Sequence, residues 1–156
     1  MPRSSKQSTE KKQSTKKKQE EIVDRFFYWA GRLGVTPQWR PLVAFDNNLS
    51  KEKTRGNLDC FASTEVTYPY VCPTVTLSSE VYELLDTDDG NIELDTILVH
   101  ELFHIIIAPL VHEITERIKE DNSITDAIEH TVDRLATALV KIARTGQGQT
   151  GSGRGA

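Results

Sequence analysis

Eleven consecutive residues, Ile97-Leu98-Val99-His100-Glu101-Leu102-Phe103-His104-Ile105-Ile106-Ile107, are apolar apart from two histidines and one glutamate. A stretch this apolar belongs in a core, and buried polar groups need partners. His100 and His104 stand four residues apart, so on a helix both imidazoles project from one face. Glu101 lies about 100° further round the same helix. The pattern is HExxH. Two imidazoles at i and i+4 can bind one metal ion, with the glutamate within reach of a water on that ion. Zinc in such a site lowers the pKa of water and polarises a carbonyl, and Glu101 is the candidate general base.

A catalytic zinc normally takes three protein ligands and keeps one position open. The metzincin spacing would require Gly at position 107 and His at 110, where this chain has Ile107 and Leu110. His112 follows Pro109 and does not fit that spacing either. Glu129 is the better candidate. It lies on a later helical stretch, in line with Val132, Ala136 and Val140 at the border of the apolar face. Asp133 is one turn further on and could accept the free N–H of a ligand histidine. The competing reading makes Glu129, Asp133 and Arg134 a solvated helix edge.

HExxH followed by Glu129-His130-Thr131-Val132-Asp133 on a later helix resembles the gluzincin metallopeptidases. The small size and the strands-then-helices order are similar to the minigluzincins and to metallopeptidase-like proteins encoded by phages and prophages. The resemblance implies His100, His104 and Glu129 as zinc ligands, Glu101 as base and Asp133 as the group orienting a ligand. It also implies an edge strand, Thr74-Val75-Thr76-Leu77-Ser78, along which a peptide substrate lies. Ile128 stands where thermolysin-like enzymes often have Asn, and no further helix supplies a stabilising histidine. Tyr68, Tyr70, His112 and His130 are the candidates left for that oxyanion role.

Periodicity outlines an α+β chain. Ile22, Val23, Phe26, Phe27, Ala30 and Leu33 repeat at helical spacing over residues 18–33, and Gly34 and Pro37 end the pattern. Residues 39–45, 56–70 and 74–78 read as strands, which suggests a three-stranded antiparallel meander packed on about four helices. Asp88-Asp89-Gly90-Asn91 reads as a turn before a helix over residues 92–108. Pro109 breaks or kinks that helix, and a short one through Val111 and Ile114 follows. Ser123-Ile124-Thr125-Asp126 resembles a capping box opening the last helix, which ends near Thr145.

Charge separates the N-terminus from the rest. Residues 1–18 carry seven Lys/Arg against Glu10, a net +6, whereas the whole chain of 156 residues is at −4. With no large apolar residue after Met1, this segment is expected to be a disordered basic tail, and residues 146–156 a flexible Gly-rich one. A single domain over residues 19–145 lies between them. The basic segment leaves open a loose contact with nucleic acid, although solubilisation explains it as well. No apolar run approaches the ~20 residues of a membrane span, and no secretory h-region is present, so a cytoplasmic protein is expected. Cys60 and Cys72 lack a CxxC spacing and are expected to be reduced. A zinc-dependent peptidase acting on peptides or proteins is the leading expectation. The alternatives are a non-catalytic zinc-containing binding or regulatory protein, and a nucleic-acid-associated phage protein working through its basic segment.

Overall fold

A computed structural model describes residues 4–35, 39–49, 61–66, 72–117 and 122–148. The order of elements is α1 (Ser4–Arg32), β1 (Leu42–Asp46), β2 (Ala62–Glu65), β3 (Thr74–Ser78), α2 (Val81–Leu84), α3 (Asp88–Arg117) and α4 (Asn122–Gly148). This is an α+β fold in which four helices pack with one three-stranded sheet.

The apolar faces meet in one core. Ile22, Phe26, Trp29 and Ala30 of α1 are buried against Leu94, Leu98, Val99, Leu102 and Ile105 of α3 in one cluster. Val75 and Leu77 of β3, Val81 of α2, and Ala136 and Val140 of α4 complete it. A fully buried Val, Leu or Ile side chain contributes about 1.5–3 kcal/mol by leaving water, so α3, with five such positions, is the organising element. By length and composition alone, Asp88–Ile114 could also cross a membrane. In this fold one face of the helix is instead the protein's core.

The sheet departs from the expected meander. Its order is β1-β3-β2, with β3 antiparallel to β2 and parallel to β1. Parallel neighbours require a crossover of a dozen or more residues, and the long stretch between β1 and β3 provides it. Thr74, Val75, Thr76, Leu77 and Ser78 therefore form the central strand, paired on both sides, and not the substrate-binding edge. Along β2, Ala62 and Thr64 are half-buried while Ser63 and Glu65 are exposed, so Thr64 faces inward.

Five helix boundaries also differ from expectation. α1 begins at Ser4, where a disordered basic tail was expected through residue 18. Lys and Gln are good helix formers, and the helix grows outward from the packed Ile22 and Phe26 without needing apolar residues of its own. Lys18 is tied down as well. Its Nζ donates to Tyr82 O at 3.0 Å and pairs with Asp86 at 2.8 Å. At the start of α3 the expected turn is helical, because Thr87 caps it: Gly90 N–H donates to Thr87 Oγ1 at 3.0 Å. Gly90 is required there, since a Cβ would meet Leu84 O at 2.5 Å.

Pro109 does not end α3, which continues to Arg117. One lost hydrogen bond is tolerated where Ile105 is buried just before it and Val111 and Ile114 face α4 just after. The last helix starts at Asn122, so Ser123 lies inside it and not at an N-cap. It also runs past the expected end to Gly148. Positions 1–3 and 149–156 of the two expected tails lie outside the described residues.

A polar cluster fixes how α1, α3 and α4 meet. Arg144 of α4 pairs with Asp95 of α3 and donates to Asn91 O at 2.9 Å. Arg25 of α1 donates to Asn91 Oδ1 at 2.6 Å and stands 3.6 Å from Asp95. Asp95 is only 6% exposed, and the two guanidiniums compensate the charge it brings into the interior.

Candidate metal centre

α3 and α4 pack against each other in opposite directions. His100 therefore faces Asp133, and His104, one turn later on α3, faces Glu129, one turn earlier on α4. The Nε2 atoms of His100 and His104 are 2.9 Å apart. Glu129 spans both, with Oε2 at 3.4 Å from His100 Nε2 and Oε1 at 3.5 Å from His104 Nε2. Among the described residues, His100, His104 and Glu129 form the group able to hold a metal ion, one ligand atom from each lying within 4.8 Å of the others.

The donor set fits zinc. Ligands at the usual ~2.0–2.1 Å from a tetrahedral zinc stand about 3.3 Å from one another. The three separations, 2.9, 3.4 and 3.5 Å, bracket that spacing. Two imidazoles and one carboxylate are also a ligand combination that catalytic zinc uses.

Asp133 Oδ1 lies 2.8 Å from His100 Nδ1. A carboxylate only accepts, so Nδ1 carries the hydrogen, and in the neutral ring Nε2 keeps its lone pair toward Glu129 and His104. Such a bond fixes both the ring's orientation and its tautomer.

The electrostatics suit a cation. Burial alone would lower the pKa of His100. The hydrogen bond to Glu129, with the charges of Glu101, Asp133 and Glu129, outweighs that and raises it. The hydrogen bonds from His100 and His104 hold the Glu129 carboxyl well below the usual carboxylate range. Both shifts favour positive charge between the two helices. Glu101, next to His100, is only 6% exposed. Burial pushes its carboxyl up, partly offset by a hydrogen bond from Thr64 and by the two imidazoles. A carboxyl moved toward neutrality is better matched to general-base work.

The other expected site residues fall outside this cluster. Tyr68 and Tyr70 lie outside the described residues, as does Cys60. His130 is exposed on α4, and His112 lies two turns beyond His104 on α3 without joining the ligating group. Among the described residues, Thr64 is the addition to the site, with Oγ1 2.5 Å from Glu101 Oε2. No motif marks it. Its place follows only from the inward face of β2 against α3. Comparison of the chain with protein-family models, with curated proteins and with solved structures finds no match.

Proposed function

We propose that this protein is a zinc-dependent peptidase-like domain of the gluzincin type, acting on peptides or unfolded protein segments. The observation that carries the reading is the convergence of His100, His104 and Glu129 from two helices, with buried Glu101 beside them. A closed structural zinc site usually has four protein ligands and needs no base. Three ligands and a neighbouring carboxylate suit catalysis better.

When bound, zinc supplies Lewis acidity toward a substrate carbonyl and toward water. His100, His104 and Glu129 would hold it, and Asp133 would keep His100 in the ligating tautomer. Glu101 takes the proton of the attacking water and delivers it to the leaving amine. With Thr74–Ser78 inside the sheet, β2 is the edge strand beside Glu101 among the described residues, and an extended peptide would pair there by strand addition.

The test is hydrolysis of an unstructured protein such as casein by zinc-loaded protein. Cleavage should disappear on chelation and return with added zinc. Failure to cleave any peptide while holding zinc would leave a binding protein in place of an enzyme.

A further inference from the structure

We propose that Thr64 is the positioning residue for Glu101. Its hydroxyl holds one carboxylate oxygen so that the other is presented to the attacking water. This rests on the zinc-peptidase reading and adds a residue that HExxH does not include.

Four observations carry it. Thr64 Oγ1 is 2.5 Å from Glu101 Oε2, a short hydrogen bond. The Glu101 carbonyl oxygen, at 3.4 Å, is a poorer acceptor, so the single hydroxyl hydrogen goes to the carboxylate. The backbone behind Thr64 is fixed, because it pairs with Val75 of the central strand, which is fully buried. A β-branched side chain on such a strand has restricted χ1 freedom, so the hydroxyl stays on target. Glu101, by contrast, reaches its place through three rotatable bonds. Thr64 removes that freedom, and it links the edge strand to the base.

The experiment is a double-mutant cycle on zinc-loaded protein, with acetohydroxamate as the probe. A hydroxamic acid chelates the metal and gives its proton to the nearby base, so its affinity reads the position of Glu101 without turnover. Thr64→Val keeps the shape and strand propensity while removing the hydroxyl. Thr64→Ser keeps the hydroxyl.

Zinc content should equal that of the wild type in both variants. Calorimetry should show acetohydroxamate binding about tenfold weaker in Thr64→Val, the scale of one hydrogen bond to a charged group, and close to wild type in Thr64→Ser. In a Glu101→Gln background, Thr64→Val should cause no further loss. Wild-type affinity in Thr64→Val, no rescue by Thr64→Ser, or an equal loss in the Glu101→Gln background would each overturn the assignment. A wild-type protein that takes up no zinc would overturn both this and the function it rests on. If zinc and probe bind and the cycle shows coupling, but no peptide is cleaved, Thr64 keeps its role and only the peptidase reading falls.

Discussion

Glu101→Gln should reduce peptide hydrolysis by about 10²- to 10⁴-fold while leaving the zinc content at the wild-type level. The amide has the shape of the carboxylate, and its oxygen can still accept from Thr64. What it lacks is the second oxygen and the negative charge that take up a proton. The three ligating atoms belong to other residues, so metal binding should not change. Stability should hold or rise, because the change removes a charge from a position only 6% exposed. Kinetics and elemental analysis on the same preparation check both halves. An unaltered rate would remove Glu101 from the chemistry, and loss of zinc would make it a ligand.

The second large effect concerns α4. Glu129→Ala should release zinc readily to a competing chelator, because it removes the one carboxylate that spans both imidazoles. Asp133→Ala touches only His100 Nδ1 and should weaken zinc about 10- to 100-fold, as losses of ligand-orienting groups typically do. His112→Ala should leave zinc affinity unchanged. A chelator titration of the three variants ranks them. If Asp133→Ala proves the more damaging of the two acidic changes, their roles are reversed.

The grouping of the candidate site residues was more legible than the sheet beside them. Three polar residues inside the apolar run 97–107 needed partners, and their HExxH spacing pointed to a metal ion shared by the two imidazoles. Glu129 and Asp133, one turn apart at the edge of an amphipathic helix, matched the His100–His104 spacing across an antiparallel helix pair. Helical periodicity encodes such faces directly. Strand partners are not encoded in that way. The alternation of Thr74 to Ser78 reports which side chains face the core, not whether one or both edges are paired, and β3 proved central.

Local composition misled in two further places. Asp88-Asp89-Gly90-Asn91 has turn chemistry, yet Thr87 capping and the close approach of Gly90 to Leu84 make it the first turn of α3. The basic segment before Ile22 has no apolar signal, but helix propensity continues α1 back to Ser4. Thr64 could not have been found from sequence, because its importance comes from a contact across 37 positions.

The most direct test of the metal centre is anomalous diffraction from crystals of the zinc-loaded protein, recorded on both sides of the zinc absorption edge. A single peak should lie between His100 Nε2, His104 Nε2 and the Glu129 carboxylate, with Glu101 near it but not coordinating. A map with no zinc peak, or with its peak on His112 while Glu129 points into solvent, would contradict that centre.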